Sequence, residues 1–258
     1  MTLEFSDLRR LIDERSTAFR AVVASAPSLD VRVPTCPEWT LFDLVQHLGG
    51  GDRFWAAVVA AGPADAPPAE AVAARAALEA PRERERLLAW LAESTRMLLN
   101  ALGDAGPDRG CWTWWGASQS PRTAGGVARH RVQETTVHTY DVQVALGVPK
   151  PLPDEVTLDG VDEFLSTCVA TPAAWPHKPT TIEFHATEGP SWRLTLDGDG
   201  ARATRLPADA TEAAPGLSVT GTASELILSL YDRIPAASLQ LAGDAGLLDL
   251  LRAWEPEE

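Results

Sequence analysis

The sequence is poor in cysteine and contains no long apolar run. Its three cysteines, Cys36, Cys111 and Cys168, are few, odd in number and widely spaced. This pattern is typical of free thiols in a reducing cytosol rather than of a disulfide framework, so we expect a cytoplasmic protein. No run approaches the roughly 18 apolar residues of a membrane-spanning helix. The charged N-terminus MTLEFSDLRRLIDER also lacks the apolar stretch of a signal peptide.

Positive charge is scarce as well. The chain has 22 Lys and Arg against 36 Asp and Glu, a formal net charge of -14. Because a phosphate backbone attracts basic clusters and repels an acidic surface, this balance argues against nucleic acid as a partner. The sequence also lacks a phosphate-binding loop, a Ser-His-Asp order and a dinucleotide fingerprint. With 258 residues, 45% of them hydrophobic, the chain can form one large or two ordinary globular domains.

The first half of the chain is predicted to be helical. Apolar residues recur at helical spacing in four segments, at 3–26, 41–61, 81–103 and 123–146. Pro27 ends the first segment, and the proline-rich stretch 27–39 is expected to be an extended loop. Thr40 and Asp43 match an acidic capping box at the start of the second helix. Four helices joined in this way predict a helical bundle.

The pattern changes after the proline-rich run GVPKPLPD, which we interpret as an interdomain linker. Beyond it we predict, in order, a helix at 155–170, paired strands in TTIEFHATE and SWRLTLDG, a strand leading into a helix in LSVTGTASELILSLYDR, and a terminal helix at 245–254. The predicted fold is therefore a mainly α N-terminal four-helix bundle, residues 1–150, followed by a small α+β domain, residues 151–258.

The fourth predicted helix carries a stripe of acidic and imidazole side chains. Glu134, His138 and Asp141 are spaced i, i+4, i+7, which places them within an arc of about 60° on one face. Inward-facing carboxylates and imidazoles are costly to bury unless something compensates their charge. A divalent cation bound at this stripe would supply that compensation.

The second predicted helix offers a matching ligand, His47, one turn after Asp43. The glycine triplet 49–51 that follows costs roughly 3 kcal/mol of helix propensity, which is better tolerated where missing side chains leave room for a ligand or for close backbone contact. His47, Glu134 and His138 would supply three ligands and leave a fourth position open, as catalytic zinc sites do. Such a site would have a formal charge near +1 and would attract an anionic oxygen or a thiolate.

Several of these residues also have simpler interpretations. Asp43 can act only as a capping residue, and Asp141 can orient an imidazole or face water. His130, one turn earlier on the same face, could replace one of the three ligands. Cys36 is a candidate nucleophile, although a small buried apolar residue is the commoner role. The Trp-rich loop 112–115 either lines a pocket or packs over the end of the bundle.

Two segments resemble a known family. VPTCPEWTLFDLVQHLGG resembles the region of the mycothiol-dependent maleylpyruvate isomerase family that runs V-P-x-C-P-x-W-T and then D-L-V-x-H-L-G, and ETTVHTYDVQVALG resembles its second block. The resemblance covers about residues 1–150, where it is similar to DinB-type metal-binding four-helix bundles. It continues more weakly to the C-terminus, where the family has a sterol-carrier-like α+β domain.

This resemblance implies a site and a chemistry. His47, Glu134 and His138 match the family's ligands for Zn²⁺, or another divalent metal, and the implied cofactor is mycothiol or a similar low-molecular-weight thiol. The implied activity is a zinc- and thiol-dependent isomerase or S-transferase, in which the thiolate adds to a small electrophilic and acidic substrate. Arg233, in SLYDR, matches an arginine of the family and is expected to help hold the thiol. Asp43 and Asp141 are the candidates for supporting residues behind the ligands.

The sequence departs from the family at Gln133, where members commonly have histidine, and at Gly50 and Gly51, where many have a bulkier polar residue. Three other functions stay open. These are a metal-dependent hydrolase with zinc-bound water as nucleophile, a non-haem iron(II) oxygenase, and a non-catalytic module that holds a small apolar ligand. We expect a monomer or a homodimer that binds a small electrophile and a thiol, without nucleic acid or membrane partners.

Overall fold

A computed structural model of the chain describes residues 3–77, 79–207 and 214–255. It divides into two compact units. The N-terminal unit comprises Thr2–Trp114 and Pro121–Leu152, and the C-terminal unit comprises Trp115–Ser120 and Pro153–Glu258. The sequence predicts a domain boundary between residues 150 and 151, and this boundary stays a prediction.

The N-terminal unit is helical, as predicted. Its described residues form α1 (Phe5–Ala24), α2 (Leu41–Ala61), the short α3 (Ala69–Ala76), α4 (Arg84–Ala105) and α5 (Ala124–Ala145). Helices α1 and α2 each pack against both α4 and α5. The apolar stripes of these helices bury residues such as Phe19, Leu44, Leu91 and Val142 in one core. This packing stabilises the helices more than their intrinsic propensity does.

The segment before α2, predicted to be an extended loop at 27–39, includes regular structure. It contains a two-stranded antiparallel hairpin of β1 (Arg32–Val33) and β2 (Cys36–Thr40). The carbonyls of Leu29 and Val31 accept hydrogen bonds, both 3.0 Å long, from the first backbone N–H groups of α2. The residues just before the hairpin thereby satisfy donors that a helix N-terminus leaves without an intrahelical partner.

The predicted capping box at the start of α2 is confirmed. Thr40 Oγ1 accepts a hydrogen bond from the Asp43 backbone N–H, and Asp43 Oδ2 accepts from the Thr40 N–H at 2.8 Å. The helix therefore begins at a position that the local sequence dictates.

The C-terminal unit is an α+β fold, as predicted. Its described elements are α6 (Asp154–Phe164), a π-helical turn (Leu165–Val169), β3 (Thr180–Ala186), β4 (Ser191–Asp197), β5 (Gly200–Leu206), β6 (Leu217–Gly221), α7 (Ala223–Leu230), β7 (Gln240–Gly243) and α8 (Gly246–Ala253). The strand order is β5-β4-β3-β6-β7, with β3 and β6 parallel and the other neighbours antiparallel. Helices α6 and α7 pack against each other, and α7 also contacts β3 and β6.

Besides the hairpin of β1 and β2, further elements were not predicted from the sequence. Helix α3 lies within the Pro/Ala-rich connection, and β5 and β7 form the two edges of the sheet. The predicted helix at 155–170 is divided, because its second half forms the π-helical turn. In the part of the chain that the structure describes, no helix combines the length and the apolar character that a membrane crossing requires.

Candidate metal centre

Helices α2 and α5 bring the three predicted ligands together. His47, Glu134 and His138 each offer a ligand atom, and these atoms all lie within 4.8 Å of one another. His47 Nε2 lies 2.8 Å from Glu134 Oε1. The His47 and His138 ring centroids are 5.2 Å apart, with the ring planes at 82°. Two imidazole nitrogens and a carboxylate oxygen are a donor set typical of zinc, and metal binding by these residues stays a prediction.

Asp141 fixes the orientation of His138. Its fully buried carboxylate lies 2.8 Å from His138 Nδ1 and accepts a 2.6 Å hydrogen bond from Thr35 Oγ1. A carboxylate accepts hydrogen bonds, so the proton of the neutral ring belongs on Nδ1 and the lone pair on Nε2. This is the arrangement in which a metal-ligating histidine is commonly held by a carboxylate behind it.

A buried ion network holds Glu134 from the other side. Arg131, only 1% exposed, donates to Glu134 Oε2 through Nη1 and to Asp52 Oδ1 through Nε and Nη2, at 3.1 and 2.8 Å. Arg131 Nη2 also donates to the Leu48 carbonyl, and Thr95 Oγ1 donates to Asp52 Oδ2 at 2.8 Å. The guanidinium therefore connects α5 to α2 directly beside the candidate ligand.

This network sets the protonation state of Glu134. Burial by itself would raise the pKa of the Glu134 carboxyl, but Arg131 above all, together with His47 and His130, holds that pKa well below its ordinary value. Burial raises the pKa of Asp52, and Arg131 and Thr95 offset this only in part. Glu134 is thus an anion at neutral pH. An ionised carboxylate is the form that binds a cation.

The charge balance and the donor set both fit a metal ion. Glu134 and Asp141 each contact one of the two imidazoles, and Arg131 supplies the guanidinium that contacts Glu134 and the third carboxyl group, Asp52. Buried negative charge in excess of positive charge is unfavourable unless a cation or a proton compensates it. A divalent ion between His47, Glu134 and His138 would provide this compensation.

A cavity of about 440 Å³ opens beside His47. It is lined by Glu38, Trp39, Asp43, Gln46, His47, Gly50 and Arg75. The Trp39 ring covers one side of His47, with the ring centroids 4.7 Å apart. The imidazole of His47 therefore faces both the ligand group and a space that can admit a small molecule.

The glycine triplet on α2 serves packing as well as this cavity. Gly50 lines the cavity, as the interpretation of missing side chains predicted. A Cβ at Gly49, however, would lie 2.2 Å from Trp90, and one at Gly51 would lie 2.9 Å from Arg131 Nη1. Gly49 and Gly51 therefore permit close approach of α4 and of the Arg131 guanidinium.

The remaining candidates lie at different distances from the ligand group. Asp43 lines the cavity, and its carboxylate binds Thr40; burial would raise the pKa of Asp43, but these hydrogen bonds, with Arg82 and Arg32, lower it. Its supporting role therefore stays a prediction beside an observed capping role. His130 Nε2 lies 3.9 Å from Glu134 Oε2, beyond hydrogen-bond distance.

Cys36 and the Trp-rich loop also lie in the N-terminal part of the chain. Cys36 is half-buried, with Sγ 3.9 Å from Asp141 Oδ2, and it forms a second close group with His138 and Asp141. In the Trp-rich loop, Trp112 stacks on Trp55 at 6.1 Å, which agrees with the packing interpretation.

Arg233 lies in the C-terminal unit, directly after α7. Its Nη1 donates a 2.7 Å hydrogen bond to the Tyr231 carbonyl, and its backbone N–H donates to the Leu228 carbonyl. A role for Arg233 in binding a thiol stays a prediction.

Sequence reasoning did not identify Asp52 and Thr95 as part of the site. Arg131 precedes Glu134 by three residues on the same helix face, and this spacing indicates a contact between the two side chains. Asp52 directly follows the glycine triplet. Nothing local indicates that Asp52 and Arg131, 79 residues apart, form a buried pair.

Two family models match the sequence of this chain. The model of the mycothiol maleylpyruvate isomerase N-terminal domain matches residues 9–143, and the model of the C-terminal domain of the same isomerase matches residues 155–250. No curated protein matches the chain.

Two solved structures are similar to the chain. They are crystal structures of the mycothiol-dependent maleylpyruvate isomerase and of a mutant of it, with TM-scores of 0.61 and 0.62. Each is 13% identical and covers 95% of this chain and 97% of its own. At this identity the similarity shows the fold. On the two domain matches, the chain belongs to the mycothiol-dependent maleylpyruvate isomerase family of enzymes.

Proposed function

We propose that this protein is a zinc- and mycothiol-dependent isomerase or S-transferase that acts on a small electrophilic substrate. The observation that carries the proposal is the convergence of His47, Glu134 and His138 beside an open cavity. Family membership supports the thiol dependence. The free cysteines support a cytoplasmic location.

The residues around the ligand group would prepare it for binding. Asp141 accepts a hydrogen bond from His138 Nδ1 and so leaves Nε2 with a lone pair for an ion, and Arg131 keeps Glu134 ionised. A zinc ion held by these residues would lower the pKa of a bound thiol, which is ordinarily about 8.5.

The cavity beside His47 would hold the substrate. Trp39 lies against His47, and Arg75 places a guanidinium in the cavity wall, where it also lies 5.2 Å from the centre of the Phe54 ring. Beside the carboxylates of Glu38 and Asp43, Arg75 is the group of this wall that would contact an acidic group of the electrophile. From the resemblance, we propose that Arg233 of the C-terminal unit helps to hold the thiol.

The first experiment is a metal count on protein purified without added metal. We expect about one zinc per chain in the wild type, as in a three-ligand catalytic site, and almost none in the double variant His47→Ala/His138→Ala. The matched control is His177→Ala, an exposed histidine of the C-terminal unit, which should retain the metal. Full metal content in the double variant would contradict the ligand assignment.

The second experiment measures turnover of maleylpyruvate with and without mycothiol. Turnover that requires the thiol and is lost in His138→Ala is the expected result. Metal-dependent turnover without thiol would indicate the hydrolase, and iron in place of zinc would indicate the oxygenase. Saturable ligand binding without turnover would indicate the binding module.

A further inference from the structure

The sheet of the C-terminal unit has two faces of different character. Successive side chains of β3 and β4 point to opposite faces, and Phe184 and Trp192 are buried on the face that packs against the helices. Trp192 Nε1 donates a 3.1 Å hydrogen bond to Asp162 of α6, and Phe184 and Val219 line an apolar cavity of about 370 Å³. The residues that alternate with these therefore lie on the opposite face.

Four polar side chains meet on this opposite face. They come from paired positions of β3 and β4, with His185 opposite Ser191 and Glu183 opposite Arg193. Side chains at directly opposite positions of an antiparallel pair are close enough to interact. The register of the two strands therefore places a hydroxyl, an imidazole, a carboxylate and a guanidinium side by side.

The His185 imidazole contacts both the hydroxyl and the carboxylate. Its Nδ1 forms a 2.9 Å hydrogen bond with Ser191 Oγ, and its Nε2 lies 3.1 Å from Glu183 Oε2. A carboxylate beside Nε2 favours the ring proton on that nitrogen, which leaves Nδ1 with a lone pair that can accept the Ser191 proton. A hydroxyl within reach of a base, with the base oriented by a third group, is the arrangement that activates a serine nucleophile.

Arg193 holds the carboxylate of Glu183 in place. Its Nε donates to Glu183 Oε1 at 3.0 Å, and its Nη2 donates to the same oxygen, so Oε2 is the oxygen that faces His185. The side chains of Glu183 and Arg193 are 11% and 14% exposed, whereas that of His185 is 30% exposed. Solvent therefore screens the ion pair little, and a small molecule can still reach the imidazole.

We propose that Ser191 is a nucleophile for acyl transfer from small activated esters, with His185 as its general base and Glu183 and Arg193 as positioning residues. Nucleophile–base–carboxylate sets are recognised by geometry and not by order along the chain, so the order Glu183, His185, Ser191 is no obstacle. The set lies in the C-terminal unit and contains none of the candidate metal ligands. Its activity does not depend on the proposed isomerase or transferase function.

The reaction has two steps. Ser191 Oγ bonds to the acyl carbon while its proton passes to His185 Nδ1; the bond from that carbon to the leaving oxygen then breaks, and the proton passes to that oxygen. In the second step a water molecule attacks the acyl-serine and gives a proton to His185, which returns it to Ser191 Oγ as the acid is released.

The probe is p-nitrophenyl acetate, added to the full-length protein in the presence of a chelator. We expect release of p-nitrophenolate and acetylation of Ser191, located by peptide mass spectrometry after acid quenching, and loss of both in Ser191→Ala. The matched control is Ser218→Ala, because Ser218 is the β6 residue paired with Glu183, and this variant should react like the wild type. Ser191→Thr retains a hydroxyl and should retain part of the activity.

Two further variants separate the base from the residue that positions it. His185→Ala should slow acetylation of Ser191 by about 10²–10⁴-fold, the usual contribution of a general base. In Glu183→Gln the amide can donate as well as accept, so it no longer fixes the ring proton on Nε2. We expect slower acetylation together with nitrogen chemical shifts of the His185 ring that change from those of the Nε2–H tautomer to those of a mixture, a change that loss of packing alone would not produce.

Three results would overturn the proposal. The first is the absence of an acetyl group on Ser191 of the wild type. The second is an equal loss of activity in the Ser218→Ala control. The third is undiminished release of p-nitrophenolate by Ser191→Ala, which would mean that another group, such as the His185 imidazole itself, attacks the ester.

Discussion

In the N-terminal unit, the groups buried between α2 and α5 are charged and hydrogen-bonded, whereas the cavity of the C-terminal unit is lined mostly by hydrocarbon. Arg131, Asp52 and Glu134 hold one another in fixed directions. The geometry of the polar centre therefore depends on hydrogen bonds between these side chains. The shape of the apolar cavity depends instead on the backbone around it, which includes the π-helical turn Leu165–Val169 and Asp232 in a left-handed conformation. A polar site is therefore sensitive to the loss of one partner, and an apolar site to a change in volume.

The largest expected effect comes from the centre of the polar site. Arg131→Met would leave Asp52 and Glu134 without their buried cation, and we expect a loss of about 3–5 kcal/mol in the free energy of unfolding. Urea denaturation measures it. Arg96→Met, which breaks an exposed pair with Glu93, is the control and should change stability little. Equal midpoints for both variants would show that Arg131 does not carry the network.

Substitution of a residue that supports a candidate ligand should have the next largest effect, on zinc affinity. Asp141→Asn leaves one acceptor oxygen for the two donors Thr35 and His138, so zinc affinity should fall about 10–100-fold. Competition with a chromophoric chelator measures this affinity. Asp43→Asn is the comparison, because the Asp43 carboxylate binds Thr40, and its zinc affinity should stay near that of the wild type. A larger loss in Asp43→Asn would reverse the assigned roles.

Both units contain a helix with an N-terminal capping box, so removal of the cap should reduce stability by a similar amount in each. Thr222 and Glu225 form a capping box at α7 like that of Thr40 and Asp43 at α2. We expect Thr40→Ala and Thr222→Ala each to reduce stability by about 1 kcal/mol. Thermal unfolding measures both. Loss of zinc from Thr222→Ala but not from Thr40→Ala would contradict the placement of the metal centre on α2.

The smallest effect concerns thiol reactivity. Burial raises the pKa of the Cys111 thiol to about 11, against a minor opposing effect of Arg122. Since the thiolate is the reactive form, Cys111 should be almost inert at pH 8 and should gain reactivity as the pH approaches that pKa. Cys168, which is exposed, should react first with a disulfide reagent in stopped-flow absorbance. Rapid labelling of Cys111 at pH 8 would show that its surroundings open readily.

Regular periodicity explains how much of the fold the sequence predicted. The long helices and strands β3, β4 and β6 bury one stripe or face, and that burial leaves a pattern of period 3.6 or 2. Strands β5 and β7 lie at the edges of the sheet, where less burial is required and the apolar pattern is weaker. Helix α3 is rich in alanine, with Ala71 as its buried residue, so a stripe of large apolar side chains was missing.

The candidate site could likewise be predicted only in part. Glu134, His138 and Asp141 could be grouped because helical geometry places them on one face. Pairing them with His47 rested first on the spacing of Asp43 and His47 and on the glycine triplet of α2, and then on family resemblance, since no local rule relates residues 87 positions apart. The partner of Arg131 and the apolar cavity were not predictable, because both depend on the packing of distant segments rather than on spacing along one element.

The close approaches at Gly49 and Gly51 have a consequence for ligand affinity. Two residues apart on a helix correspond to about 200° of rotation, so Trp90 and Arg131 press on nearly opposite sides of α2. A side chain at either position would meet one of them, so the close packing of α2 depends on both glycines. This packing sets the backbone position of His47 during folding, and an incoming ion does not have to supply the entropy of ordering it.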